Sequence, residues 1–154
     1  MVDFSADVIL IDFVFVAAPG REFADAGQVD RTGIKIGVGR NNSGDVFLTR
    51  TLKSAELVRG PGDTASGIEL LRTSGADLYA ALATNALEIV AGLPGARIIP
   101  GAFETVTFAV ALPKGRSSAA QSRLMQIVND AKGTGMVKET IEKSGLKGAQ
   151  VAPN

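Results

Sequence analysis

The stretch "KIGVGRNNSGDVFL", residues 35–48, decides how the chain is read. An apolar alternating run, a knot of Gly and Asn, and a fresh apolar run follow one another there, which predicts a strand, a turn and a helix. Such a junction leaves the first backbone N–H groups of the helix unpaired at the positive end of its dipole, a setting that suits a small anion. Known phosphate loops do not fit. Gly39 and Gly44 have the spacing of G-x-x-x-x-G-K-[ST], yet Asp45 and Val46 stand where a Lys and a hydroxyl residue are required. The dinucleotide pattern G-x-G-x-x-G is met at Gly37 and Gly39 but finds Asn42 in place of its third glycine, and "AELV" is followed by Arg59 instead of an acid. What survives is a general anion site at a helix start. Its donors would be the backbone N–H groups of Ser43 and Gly44, with Asn42 beside them. The plainer alternative is that Asn42 and Ser43 only cap the helix.

Composition narrows the chemistry. A chain of 154 residues suits one compact unit that buries roughly 70% of its unfolded surface. Sixteen basic and sixteen acidic residues cancel, so no global field draws the chain to nucleic acid or to an anionic membrane. The absence of Cys and His removes thiol nucleophiles, disulfides, thiolate zinc sites and the usual near-neutral proton shuttle. No metal or cofactor is assigned. The apolar run "VILIDFVFVAA" (8–18) is too short for a membrane span and is broken by Asp12, so it reads as a buried strand.

Outward from the opening stretch, periods of two and 3.6 alternate. "PGREFADAGQVDRTG" is a connector, "AELVRG" a short strand, and "PGDTASGIELLRTSG" a helix with Ile68, Leu70 and Leu71 on one face and Gly75 as its stop. "ADLYAAL" runs as a strand into the helix "ATNALEIVAGL", and "ARIIPG" is a strand again. This rhythm predicts an α/β fold with a parallel sheet and right-handed crossovers. From residue 103 the pattern changes. "FETVTFAVAL" alternates like a long strand leaving one unit for another, "PKG" is a turn, and two amphipathic helices follow. The first of them would turn Leu124, Ile127 and Val128 inward behind a Ser117 or Ser118 cap; the second would carry Val137 and Ile141 and stop at Gly145.

Taken in order, "VDFS", "ILIDFVFVA", "GIKIGVGRNNSGDVFL", "ADLYAAL", "LPGARIIPG", "TFAVALPKG" and "GTGMVKETIEKSGL" resemble the second half of an extracellular solute-binding protein of the amino-acid type, the receptor of an ABC importer. The resemblance runs from about residue 2 to 148. It implies a type II periplasmic-binding-protein-like architecture of two α/β lobes joined by two crossing strands, with ligand held in the cleft between them. Residues 33–101 would be the second ligand-binding lobe. Residues 1–32 would hold a remnant of the first lobe with the first crossing strand, and residues 102–154 the second crossing strand and the helices that return to the first lobe. A membrane permease as partner and a periplasmic or extracellular setting are implied in the same way. The family's first lobe supplies a segment ahead of "VDFS", so the expectation is either a truncated or separately encoded piece of such a receptor or a cleft wall supplied by another chain, with a second copy or a companion chain covering the exposed face.

The resemblance also bears on the ligand. Its amino-acid receptors end the strand matching "DLYAAL" in an Asp that pairs with the ligand's ammonium, and that position is Leu82 here. A buried ammonium without a carboxylate costs several kcal/mol, so the expected ligand is an organic acid, another small anion or a neutral metabolite. The candidate ligand-binding residues are Asn42, Ser43, Gly44, Leu82, Asn85 and Phe103. For Asn85 and Thr84 helix capping competes, and for Phe103 core packing. Asp77 reads as a turn-fixing residue, Arg40 as a counter-charge or a solvated side chain, and Lys114 as an exposed turn residue. No catalytic residue is assigned. An enzyme on the same fold would need Glu104 or Asp45 as a buried base, and a protein-binding assembly module is the remaining alternative.

Overall fold

The structure is a computed structural model and describes residues 2–153. It contains two compact units, one of residues 12–105 and one built from the segments up to Ile11 and from Val106 onward. The first unit is an α/β lobe. Strand β1 (Val2–Ala17) enters it with its second half. Then come β2 (Lys35–Gly39), α1 (Ser43–Thr51), β3 (Glu56–Gly60), α2 (Thr64–Arg72), β4 (Leu78–Leu82), α3 (Ala83–Gly92) and β5 (Arg97–Ile98). The strand order is β3-β2-β4-β1-β5. β2 pairs in parallel with β3 and with β4, as the βαβ rhythm predicts. β1 lies antiparallel to β4, from Phe13 opposite Leu82 to Ala17 opposite Leu78, and antiparallel to β5. The sheet is therefore mixed.

That pairing moves the unit boundaries away from 33 and 101. The run from Phe13 to Ala17 is an interior strand of the lobe, and the residues up to Thr105 stay with it. Alternation explains the layering, because successive side chains of a strand face opposite ways. Phe15, Ala17, Leu78 and Ala80 join Ile36, Val38, Leu48 and Ile99 on one face. Val16, Ala18, Tyr79 and Ala81 join Leu71, Ala86, Ile89 and Leu93 on the other. Helices cover both faces, which is why β2 and β4 read as nearly unbroken apolar runs. Burying a side chain such as Ile36 contributes about 1.5–3 kcal/mol, and it is fully buried.

Local stops differ in detail from expectation. After α2 the left-handed residue is Ser74, at φ 57°, while Gly75 donates its N–H to the Leu70 carbonyl. Asp77 does more than fix a turn. It is buried, accepts the Lys35 N–H at 2.8 Å and pairs with Arg21, so it ties the starts of β4 and β2 to the connector.

The second unit holds the first half of β1 with β6 (Glu104–Pro113), α4 (Ser118–Gly133), α5 (Met136–Ser144) and β7 (Ala149–Val151). β7 lies antiparallel to β1, with Ile9 opposite Val151. The Ser117 hydroxyl caps α4 by accepting the Ala120 N–H, and left-handed Gly145, at φ 68°, ends α5. On α4 only Val128 of the three expected inward residues is buried. Leu124 is half-buried and Ile127 is exposed, because α4 turns a narrow stripe inward. Lys114 sits exposed in its turn. No helix among the described residues is long and apolar enough to cross a membrane.

Candidate functional site

The parallel strands β2, β3 and β4 all end on the same side of the lobe, and each feeds a helix: α1, α2 and α3 begin there in turn. Ligands of α/β sheets bind at the carboxyl ends of such strands. A cavity of about 260 Å³ lies there, lined by Asn42 and Ser43 at the start of α1, Gly62, Asp63 and Thr64 at the start of α2, and Leu82 and Asn85 at the start of α3. Phe13, Tyr79, Ala80, Ala81 and Ile89 complete the lining. The loops before α1 and α2 touch: a Cβ on Gly39 would lie 2.7 Å from the Cα of Gly62. Side chains there would force the loops apart, and Gly62 also adopts φ 95°.

The start of α1 is built by four side chains, those of Asn42, Asp45, Thr49 and Arg59. Asn42 Oδ1 accepts the Asp45 N–H at 2.8 Å and the Asn42 carbonyl accepts the Val46 N–H. The Ser43 and Gly44 N–H groups, first in the helix, have no intrahelical acceptor. Asn41 is left-handed at φ 61°, a conformation Asn tolerates, and its N–H is held by Asp45 Oδ2 at 2.9 Å. Asp45 itself is buried and also accepts from Thr49 Oγ1 and from Arg59 Nε at 2.8 Å. Burial pushes its carboxyl up, but the Asn41 N–H, the Arg59 guanidinium and the Thr49 hydroxyl outweigh it and leave the group below its ordinary value. A base needs the opposite shift, and Asp45 is fully engaged, so it offers no general base.

Four of the six candidate residues line the cavity: Asn42, Ser43, Leu82 and Asn85. Asn42 is the cap of α1 as well as a wall. Gly44 is buried behind the lining, where a Cβ would stand 2.9 Å from the Phe13 ring. Phe103 is absent from the wall: it stacks on Phe15 at 4.3 Å and tilts against Phe13 and Phe47. Leu82 precedes α3 with no side-chain cap bond, so neither Thr84 nor Asn85 performs the expected capping. Asn85 Nδ2 instead reaches Thr64 Oγ1 at 3.4 Å, and Thr64 donates to Glu88 at 2.8 Å, which links α3 to α2. Arg40 is exposed and outside the lining; its N–H donates to the Gly60 carbonyl. Glu104 lies on a different surface depression with Asn41, Ser43, Phe47 and Arg50.

The residues missed from sequence are Asp63 and Tyr79. Asp63 Oδ1 accepts the Ser66 N–H at 2.6 Å as the cap of α2, and the residue is exposed on the cavity wall. The available signal was "PGD" ahead of an apolar helix, a cap at the carboxyl end of a parallel strand. Tyr79 was hidden inside an apolar strand.

Comparison with known proteins bears on the fold. No family model matches the chain, and no curated protein matches it. Solved structures do, and they share the type II periplasmic-binding-protein-like architecture of ABC-transporter solute-binding proteins, which is the fold of this chain. A binding component assigned to an ABC transporter of Wolinella succinogenes, complexed with lysine, superposes with a TM-score of 0.78 at 15% identity over 92% of this chain and 62% of its own. A mutant of the Thermotoga maritima protein ArgBP gives 0.72 at 19% identity over 92% and 61%. The solute receptor for L-cysteine of Neisseria gonorrhoeae gives 0.72 at 17% over 92% and 56%. The chain thus spans about three fifths of the length of these structures. The ligands named for two of these structures are L-cysteine and lysine.

Proposed function

We propose that the unit of residues 12–105 is the ligand-binding lobe of a solute-binding protein and that its cavity takes a small carboxylate, an α-amino acid before others. The observation that carries this reading is the meeting of three helix starts on one cavity, with backbone donors on one side and a carboxylate on another. The N–H groups at the start of α1 suit the ligand's carboxylate. Asp63 suits its ammonium, since only Oδ1 is engaged by the cap. Leu82 removes one acid from the wall, and Asp63 supplies another nearby.

Leu82 still favours a second reading, a carboxylic acid without an amine. Calorimetric titration of the chain with an amino acid and with its deaminated analogue separates the two. Preference for the amino acid supports the Asp63 role, preference for the analogue supports the second reading, and heat from neither overturns the solute site. Substrate-depletion assays with the same compounds test the enzyme alternative. A permease partner and a periplasmic setting belong to this proposal. So does a partner surface on the other unit, which exposes Phe108, Val110, Ile127 and Met136.

A further inference from the structure

Strand β6 (Glu104–Pro113) pairs with β1 and with no other strand among the described residues, so its outer edge is open. The Val110 N–H points inward and donates to Ser5 Oγ of β1 at 3.0 Å. Backbone groups alternate sides along a strand, so those of Thr107, Ala109 and Ala111 point outward. Natural edge strands are blunted by charged side chains, prolines, bulges or a cover. Here the run "TVTFAVAL" between Glu104 and Pro113 carries no charge, and the one proline is the last residue of the strand. Phe108 and Val110, which alternation puts on one face, are 44% and 45% exposed. A long apolar edge of this kind is a template for another strand.

The charges at its ends select that strand. Glu104 opens β6, Lys114 follows its last residue, and neither forms an ion pair among the described residues. An uncharged run with opposite charges at its ends is complementary to itself when a copy is laid antiparallel. We propose that β6 pairs with β6 of a second copy, antiparallel about a two-fold axis at Ala109. This register sets Glu104 level with Lys114 of the second copy, Phe108 against Val110 and Val106 against Leu112. The outward groups of Thr107, Ala109 and Ala111 make the ladder, and aromatic and β-branched side chains face each other across it. A slip of two residues would keep the ladder but take Glu104 away from Lys114. The contact is isologous and closes at two copies. It uses no residue of the cavity wall, so it holds whatever the cavity binds.

The test is sedimentation equilibrium of the 154-residue chain and of its Glu104→Lys and Lys114→Glu variants, alone and mixed. The wild type should pass from monomer to dimer with rising concentration and go no further. Each reversal sets like charges level at both ends of the ladder and should weaken the dimer roughly tenfold at low salt. An equimolar mixture of the two variants should recover the wild-type association, since every end again meets its opposite, and a misfolded variant could not do this. Amide hydrogen exchange at Thr107, Ala109 and Ala111 should slow as the dimer forms. A wild type that stays monomeric, or that grows beyond two copies, overturns the proposal. So does a dimer that both reversals leave unchanged, a mixture no tighter than its parts, or a dimer in which those three amides exchange as fast as in the monomer.

Discussion

Helices α1 and α3 both begin on the cavity, yet their first turns are built by different means. At α1, Asn42 caps the helix and Asp45 fastens the loop from below through Asn41, Thr49 and Arg59. At α3, Leu82 passes straight from strand to helix with no side-chain cap, and the nearest polar side chain, Asn85, reaches across to Thr64. The α1 start is fixed by side chains that lie beneath and beside it, so its leading N–H groups are pre-aimed without using the groups a ligand would need. The α3 start is fixed by packing, with Ala86 and Ile89 buried just behind it. A rigid polar rim thus faces an apolar one.

The contrast breaks most severely at Asp45. Asp45→Asn removes the charge opposite Arg59 and weakens the bond that holds left-handed Asn41, and should cost about 2–3 kcal/mol in urea unfolding, Arg59 being partly exposed. The pH dependence has a fixed sign. Because the folded carboxyl titrates below its ordinary value, its contribution is present above the unfolded carboxylate value of about 3.9 and is lost as pH falls through the folded one. Asp30, lowered by the N–H groups of Ala55, Lys53 and Ser54, acts in the same direction. Stability of the wild type should therefore fall on acidification below about pH 5, and the fall should be shallower in Asp45→Asn. An unchanged acid limb in the variant would show that Asp45 is not a main source of the acid sensitivity.

Gly44 is the next weakest point of the α1 start. Gly44→Ala gains helix propensity, but its methyl would stand 2.9 Å from the Phe13 ring. Over-packing of this kind costs about 1–3 kcal/mol, more than the propensity gain of about 1 kcal/mol returns. The net loss should reach about 1 kcal/mol, and Phe13 should move, which shows as altered ligand affinity. A more stable Gly44→Ala would mean that Phe13 has room to yield.

Asn42 separates capping from binding. Asn42→Ala should lose about 1 kcal/mol, the worth of a helix cap. Asn42→Asp keeps the cap and favours the helix dipole, so stability should hold. The added negative charge on the cavity wall should nonetheless weaken carboxylate binding about tenfold or more, read by calorimetry. Equal carboxylate affinity in wild type and Asn42→Asp would move the anion away from α1.

How much of this could be read in the sequence follows the range of the interactions. The strand, turn and helix of 35–48 were legible because alternation and a cap act over a few residues, and Asn42 was one of two caps named. The resemblance in motif order reached the architecture. Long-range pairing was not legible. The second half of β1 belongs to the lobe because Phe13 faces Leu82 and Ala17 faces Leu78, which neither segment announces. Phe103 was drawn into an aromatic cluster by Phe13, Phe15 and Phe47 from distant elements. Asp63 carries no role in the helical segment "PGDTASGIELLRTSG" when that segment is read alone, because its place on the cavity depends on β3 lying beside β2.

The smallest expected effect falls on the apolar rim. Leu82 occupies the N-cap position of α3, where an Asp can accept a backbone N–H two or three residues on and oppose the positive end of the dipole. Leu82→Asp gains about 1 kcal/mol from the cap and loses part of a half-buried leucine, so net stability should change by less than about 0.5 kcal/mol. Binding gives the sharper readout. The variant sets a second carboxylate on the wall that already carries Asp63. An amino acid should bind more tightly to it relative to the deaminated acid, by about tenfold, because its ammonium gains a partner while the deaminated carboxylate meets only repulsion. If the ratio stays flat in Leu82→Asp and drops in Asp63→Asn, the ammonium sits at α2 and the α3 rim serves only to exclude water. If both substitutions leave it flat, the amine makes no contact with this lobe and the cavity recognises the carboxylate alone.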